Sequence, residues 1–160
     1  MKQLYIIRHA TAIQHGAQND FARTLDVSAK VELEFIGKYI QKKRWKTDAM
    51  ICSAALRTKE TCEQLALHLG IDAGEILQSE ELYNAPYESY LKTICKQNNQ
   101  VQKLTIIGHN PGISHLATFL ANNKQNYNLP TCGLVLLQFK IDNWQELSMG
   151  SGQVLDFVIP

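Results

Sequence analysis

Residues 4–10 read LYIIRHA, and this stretch poses the main question about the fold. Its first four residues form a continuous apolar run, the pattern of a β-strand that is buried on both faces. The run ends in Arg8 and His9, two polar side chains directly after a buried segment. A strand that simply reaches water would explain this pair, and so would a strand that delivers the pair to the edge of a sheet for a function.

A second stretch repeats the pattern, because residues 104–109 read LTIIGH. Each run is followed by a histidine, His9 in one case and His109 in the other. Ligands of open α/β sheets bind at the carboxyl ends of the strands, so two neighbouring strands would present both imidazoles at one edge. Two of five histidines can end strands by chance. The Arg8 before one of them and the Pro111-Gly112 helix start after the other favour a functional site.

A third stretch reads ICSAALRTKET, residues 51–61. A strand is predicted to end near Cys52 and a helix to begin at Leu56, which puts Arg57 in the first helical turn. The helix dipole disfavours a cation at this place. Free N–H groups and an arginine together suit an anion. Taken alone, the stretch favours an Arg57 side chain that points outward into water.

Strands and helices alternate along most of the chain. The predicted helices are Ala29–Lys43, Leu56–Leu69, Tyr87–Gln97 and Ile113–Ala121, and the predicted strands are Leu4–Ile7, Ala49–Cys52, Ile76–Gln78, Leu104–Ile107, Gly133–Lys140, Trp144–Met149 and Val154–Ile159. This alternation predicts an α/β fold of three layers, with a mostly parallel central sheet between helices on both faces. The length of 160 residues favours one domain, residues 1–160.

Composition narrows the function classes. A net charge of +1 argues against a nucleic-acid-binding protein, which usually carries a basic excess. No apolar segment is long enough to cross a bilayer, and no secretory signal pattern precedes the first strand, so we expect no membrane partner. The cysteines form neither a C-x-x-C pair nor a zinc pattern, which favours a reducing cytoplasm. They are Cys52, Cys62, Cys95 and Cys132.

The candidate edge therefore combines Arg8, Arg57 and two histidines with backbone donors. Arginine forks match the geometry of a phosphoryl group. No carboxylate cluster accompanies them in the sequence, so a divalent metal ion is not expected. We expect a phosphoryl site that uses neither metal nor another cofactor.

The same motifs resemble those of a known family. The sequence R-H-A after the first strand, S-A-A-L-R-T-K-E-T in the middle and G-H-N-P after a late strand are similar to the signatures of the histidine phosphatase superfamily. The short chain and the closing W-x-E-L-x-x-G…L-x-F-x-x-P resemble the SixA-type phosphohistidine phosphatases. The resemblance covers nearly the whole chain and implies a fold like that of phosphoglycerate mutase.

The resemblance also implies roles for residues. His9 would be the nucleophile, while Arg8, Arg57 and His109 would form the phosphate pocket. Arg23 stands where the family carries an arginine before a Leu-Thr helix start, although Thr24 replaces the family's proline. Glu81 stands where the family carries an acidic residue that can donate a proton.

In this mechanism His9 must be neutral, with its second ring nitrogen held by an acceptor such as a backbone carbonyl. A protonated His109 and the arginines would stabilise charge on the phosphoryl oxygens. The expected substrate is a phosphorylated protein, with phosphohistidine as the reacting group, or a small phosphoester. Alternatives are a non-catalytic module that binds phosphorylated ligands, a phosphomutase, for which Ala10 is unusual, and a metal hydrolase.

Overall fold

A six-stranded sheet runs through the centre of the protein in a computed structural model that describes residues 1–160. Its strands are β1 (Lys2–Arg8), β2 (Ala49–Ser53), β3 (Leu77–Ser79), β4 (Lys103–Gly108), β5 (Leu134–Phe139) and β6 (Gln153–Val158). Four α-helices flank it, α1 (Ala29–Lys43), α2 (Leu56–Leu69), α3 (Tyr87–Cys95) and α4 (Gly112–Leu120). None of these helices has the length and apolar character needed to cross a bilayer.

The strand order is β3-β2-β4-β1-β5-β6, with the first four strands parallel to one another. The strand β5 runs antiparallel to β1, and β6 runs antiparallel to β5. In the central pair, Ile7 lies opposite Ile107 and Arg8 opposite Gly108. The two stretches that the sequence singled out are therefore adjacent and in register at their carboxyl ends. The predicted fold class, a three-layer α/β fold with a mostly parallel sheet, is confirmed.

The apolar runs of β1 and β4 bury both faces of the sheet, as continuous apolar strands require. Leu4 and Ile6 belong to a core cluster on the side of α3 and α4. Tyr5 and Ile7 belong to a second cluster with residues of α1 and α2. Helices therefore cover both faces, and the edge formed by the strand ends is the surface left for a ligand.

One predicted strand is absent from the structure. Residues Trp144–Glu146 form a 3₁₀ turn instead, because Asn143 and Glu146 form a reciprocal capping box around it. The side chain of Trp144 is fully buried, and its Nε1 donates to the carbonyl of Val101 at 3.0 Å. Burial of this ring, and not strand pairing, explains the apolar residue at this position.

Candidate active site

The backbone of His9 is held from two sides at the end of β1. Its N–H donates to the carbonyl of Gly108 at 3.1 Å, and its carbonyl accepts from the N–H of Cys132 at 3.1 Å. The next N–H, that of Ala10, donates to Oγ1 of Thr61 at 3.0 Å. Contacts from β4, α2 and the segment before β5 therefore fix the point where the chain leaves the sheet.

The ring of His9 has one nitrogen bound and one facing a guanidinium group. Its Nδ1 donates to the carbonyl of Ala10 at 2.7 Å, so the proton of the neutral ring resides on Nδ1. Its Nε2 accepts from Nε of Arg57 at 3.4 Å. Burial, followed by the positive charges of Arg57 and Arg8, lowers the pKa of His9 to about 4, against the raising effect of the Ala10 carbonyl. The ring is neutral at pH 7, with its lone pair on Nε2.

His109 lies beside His9, with ring centroids 5.2 Å apart. Its backbone N–H donates to the hydroxyl of Tyr90 at 3.0 Å, and that hydroxyl donates to the carbonyl of Leu82. Its Nε2 lies 2.8 Å from Oγ of Ser53, while its buried Nδ1 has no hydrogen-bond partner in the protein. This histidine is thus oriented through β2 and α3 as well as through β4.

The protonated His109 of the expected mechanism is not the form that this histidine takes in the ligand-free protein. Burial, and then the neighbouring His9 and Arg57, lower the pKa of His109 to about 3. Only 2% of this residue is exposed, so water does not offset the cost of charging it. His109 is therefore a neutral imidazole at pH 7 before an anion binds.

Arg57 points into the site and not into water. It is the second residue of α2, and only 4% of it is exposed. Its Nη1 donates to the carbonyl of Asp20 at 2.6 Å, and its Nη2 lies 3.1 Å from Oδ2 of Asp20. The first turn of α2 therefore carries a buried cation, although the helix dipole disfavours one there. The carboxylate of Asp20 balances the charge of this guanidinium.

The other two arginines that the sequence predicts for the site, Arg8 and Arg23, have different partners. Nη1 of Arg8 donates to the carbonyl of Leu129 at 3.1 Å, and its Nε is buried with no partner in the protein. Arg23 donates from Nε to the carbonyl of Ile13 at 2.6 Å and from Nη1 to Oδ1 of Asp20 at 2.8 Å. Arg23 therefore reaches the site through the same carboxylate that holds Arg57.

We call residues 13–23 the site loop, since this segment carries Asp20 and Arg23. An isolated bridge between Ala12 and Leu25 and a bond from the N–H of Ile13 to the carbonyl of Thr24 close its base. Between them the chain is mostly exposed and ends in a 3₁₀ turn over Asp20–Ala22. The loop is thus anchored at its base and against Arg57.

Glu81 forms no hydrogen bond with either histidine. It lies in the 3₁₀ turn Glu80–Leu82, its side chain is exposed, and it makes no hydrogen bond or ion pair with the site residues. The turn buries Leu82 and places Tyr83 at the site instead, with its ring 5.7 Å from that of His109 and edge-on to it. Tyr83, the residue directly after the turn, therefore borders the imidazole of His109.

Three further residues lie at the site that the sequence did not predict as site residues. Ser53 ends β2 at the same sheet edge, so the strand-end rule that identified the histidines also applies to it. Asp20 and Tyr83 lie in loops, where no periodicity signals their direction. Tyr83 donates its hydroxyl to Oδ2 of Asp20, and its ring packs edge-on against Phe21. No group of three or more His, Cys, Asp or Glu side chains in the protein is arranged to hold a metal ion.

No protein-family model matches the chain. Its sequence relatives include a protein of Mycobacterium tuberculosis without an assigned function, 26% identical over 163 residues that cover 96% of this chain and 99% of the relative. An uncharacterised protein of Mycobacterium leprae is 29% identical over 121 residues, 71% of each chain. These relatives show that similar chains exist but assign no activity.

Solved structures are more informative. A protein from Agrobacterium tumefaciens that is assigned as the phosphohistidine phosphatase SixA superposes with a TM-score of 0.83 and 27% identity, covering 99% of this chain and 98% of its own. The protein histidine phosphatase SixA in complex with tungstate gives 0.81 at 19% identity, over 99% and 97% of the two chains. A mycobacterial glucosyl-3-phosphoglycerate phosphatase gives 0.70 at 10% identity, over 99% of each chain. These neighbours are phosphatases, which supports a hydrolase. The chain therefore has the fold of the histidine phosphatase superfamily, and its resemblance to the SixA phosphohistidine phosphatases is confirmed.

Proposed function

We propose that this protein is a metal-independent phosphatase that carries the phosphoryl group on Nε2 of His9, and that its substrate is a protein phosphohistidine. One observation carries the proposal. The Ala10 carbonyl holds the proton of the His9 ring on Nδ1, which leaves a neutral Nε2 lone pair beside the Arg57 guanidinium. A neutral nucleophile next to a fixed cation is the arrangement that attack on a phosphoryl anion requires.

The phosphoryl oxygens would be bound by Arg57, Arg8 and His109, with Arg23 behind Asp20. Nε of Arg8 and Nδ1 of His109 are buried without a protein partner, and such groups are costly unless they meet one. In this proposal, an oxyanion bound beside His9 supplies an acceptor for each of these two groups. Binding of that anion also favours protonation of His109, because a nearby negative charge stabilises an imidazolium ion.

The reaction has two displacement steps. In the first, the Nε2 lone pair forms a bond to phosphorus while the bond to the leaving group breaks and its electron pair departs with that group. In the second, water attacks phosphorus, the N–P bond breaks and its electron pair returns to Nε2, and a proton from the water is released with the phosphate. The phosphoryl charge is spread over three equatorial oxygens during both steps, so positioned cations account for most of the catalysis.

The carboxylates near the site favour a leaving group that needs no proton from the enzyme. The hydroxyl of Tyr83 and then the guanidinium of Arg23 hold the pKa of Asp20 well below its usual range, with Arg57 acting in the same direction. An acid of low pKa is a poor proton donor at neutral pH. Glu81, the donor that the family resemblance suggests, is exposed and forms no hydrogen bond with the histidines. The imidazole of a phosphohistidine can leave already protonated, whereas an alkoxide cannot, which supports phosphohistidine as the substrate.

The names of two structural neighbours support the same substrate class, since they are phosphohistidine phosphatases. Glu81 would then matter only for small phosphoesters, where the leaving oxygen needs a proton. We therefore propose that Glu81→Gln lowers hydrolysis of an alkyl phosphate while leaving hydrolysis of protein phosphohistidine within about two-fold of wild type, a smaller effect than the roughly 10²-fold that loss of an essential general acid gives.

The direct test compares wild type, His9→Ala and His115→Ala on a phosphohistidine-bearing protein and on p-nitrophenyl phosphate, with and without EDTA. His115 is an exposed histidine on α4 and serves as the matched control. We expect activity that persists in EDTA, falls at least about 10³-fold in His9→Ala and stays near wild type in His115→Ala. Full activity in His9→Ala would show that His9 is not the nucleophile. Binding of the phosphoprotein without turnover would indicate a binding module instead.

A further inference from the structure

The Arg57 guanidinium already binds two oxygens of its own chain. Asp20 supplies both, its backbone carbonyl to Nη1 at 2.6 Å and its Oδ2 to Nη2 at 3.1 Å. A third donor, Nε, faces Nε2 of His9. An arginine fork filled by two oxygens from one side has the geometry with which arginine receives a carboxylate or a phosphoryl group. Asp20 therefore occupies two of the donors with which Arg57 can bind a phosphoryl group.

The groups that bind the Asp20 carboxylate can exchange their hydrogen-bond partners. Its carboxylate contacts Arg23 through Oδ1 and receives the Tyr83 hydroxyl on Oδ2, yet the side chain is 45% exposed. The 3₁₀ turn that carries it contains no buried residue. Movement of this carboxylate costs contacts with charged groups but requires no disruption of the core.

We propose that Asp20 is an internal competitor for the phosphoryl subsite, which weakens the binding of free inorganic phosphate and so promotes release of the product. This inference rests on the proposed function, in which the phosphoryl group binds at Arg57. A phosphorylated protein has further contacts with the enzyme that help it displace Asp20. Inorganic phosphate has only the subsite itself, so it bears the full cost of the competition and of repulsion from the carboxylate.

A purely structural role for Asp20 makes the opposite prediction. If the carboxylate served only to hold the site loop and Arg57 in place, its loss would disorder the subsite and weaken phosphate binding. If it competes, its loss weakens the contact of Oδ2 with Nη2 of Arg57 and removes a negative charge, so phosphate binds more tightly. The direction of the change therefore distinguishes the two roles.

The experiment is calorimetric titration of inorganic phosphate into wild type, Asp20→Asn and Arg57→Ala at neutral pH. Asparagine keeps the size and an acceptor oxygen but removes the charge. We expect roughly ten-fold tighter binding in Asp20→Asn, the effect of about 1.4 kcal/mol, and a smaller gain at high salt. We also expect inorganic phosphate to inhibit turnover by Asp20→Asn at correspondingly lower concentration. Equal or weaker phosphate binding in Asp20→Asn overturns the inference.

Two further variants provide a charge control and a second test of the Asp20 contact. Asp142→Asn makes the same change of charge at an exposed position beyond β5, away from the site loop, and it should leave phosphate binding unchanged. Tyr83→Phe removes only the hydroxyl that donates to Asp20 and should tighten phosphate binding in the same direction by a smaller factor. If Asp20→Asn fails to fold, unchanged or weaker binding in Tyr83→Phe overturns the inference.

Failure of the inference can be told apart from failure of the proposed function. If wild type binds phosphate, Arg57→Ala loses it and Asp20→Asn binds no more tightly, only the role of Asp20 is wrong. If neither wild type nor Asp20→Asn binds phosphate, both the subsite and the inference built on it are wrong.

Discussion

The two halves of the candidate site are built differently. The carboxyl ends of β1 and β4 carry His9 and His109, which are 8% and 2% exposed and are held by backbone bonds from neighbouring elements. The site loop carries Asp20 and Arg23, whose side chains are 45% and 27% exposed and which are held by charge. The sheet edge thus fixes the reacting groups, and the loop supplies charges that can rearrange.

The difference indicates how one site combines a precise nucleophile with an exchangeable anion subsite. A buried strand end keeps an imidazole within the small tolerance that in-line attack allows. An exposed loop has low local stability and can change partners without unfolding the core. Changes at the sheet edge should therefore disturb both stability and activity, while changes in the loop should act mainly on ligand binding.

Gly108→Ala should produce the largest effect on stability. A Cβ at this position would overlap the hydroxyl of Tyr90, so the hydroxyl that accepts from the His109 N–H must move. We expect a loss of about 3 kcal/mol in the free energy of unfolding, measured by urea denaturation, together with loss of activity. The control is Gly16→Ala in the site loop, where φ is +89° but a Cβ meets nothing within 4 Å. This variant should lose about 1 kcal/mol in the free energy of unfolding. Equal losses at both positions would contradict the difference between the sheet edge and the site loop.

Acid should destabilise the sheet edge through its two histidines. Their pKa values of about 4 and about 3 in the folded protein lie below the unfolded value of 6.5, so the unfolded chain takes up protons first as the pH falls. The free energy of unfolding is therefore highest above about pH 6.5 and should fall by about 1 kcal/mol per histidine between about pH 6.5 and 5.5. Denaturation at several pH values measures this slope. His109→Asn should make it shallower, and an unchanged slope would contradict the assignment.

Tyr90→Phe should have an intermediate effect. It removes the hydroxyl that accepts from the His109 N–H and donates to the Leu82 carbonyl, which leaves two buried backbone groups without a partner. We expect a loss of about 1–2 kcal/mol by thermal or chemical denaturation. Tyr87→Phe makes the same change on the same helix, where the hydroxyl has no hydrogen bond, and should be near neutral. A similar loss in both variants would mean that the Tyr90 hydroxyl does not anchor His109.

Phe21→Ala should have the smallest effect on stability. The ring packs edge-on against Tyr83, with 5.0 Å between the ring centroids. Because the residue is only half-buried, we expect a loss of no more than about 1 kcal/mol. Its KM for phosphorylated substrate should change more than its stability does. A large loss of stability would show that the site loop contributes to the core, and it would contradict the difference between the loop and the sheet edge.

Much of the fold could be predicted because its signals are local. The helices α1 and α2 begin and end where the apolar spacing predicts, and β1 and β4 differ from the predicted strands by one or two residues at each end. The Trp144 segment was predicted wrongly, because an apolar residue that packs alone into the core looks the same in sequence as one in a short strand.

The site was predictable to the extent that strand ends define it. His9, His109 and Arg8 follow buried runs, and parallel pairing of β1 with β4 brings them together. The direction of Arg57 was not predictable, since a side chain in the first helical turn can face either water or the sheet edge. Glu81 and Tyr83 lie two residues apart in a loop, and no periodicity indicates which of them faces the histidines. The roles assigned to these residues stay predictions until the variants are measured.

By itself, the amino-acid sequence determined the layered α/β architecture and placed a histidine at the end of each of two buried strands, because apolar periodicity and strand alternation are short-range properties of the chain. Only the tertiary structure made these strands neighbours and decided which charges meet at their ends. The contact of Asp20 with Arg57 joins residues 37 positions apart through the site loop, and the low pKa values of both imidazoles arise from burial by several elements at once. Long-range packing and desolvation have no local signature, so the electrostatics of the site follow from the folded chain alone.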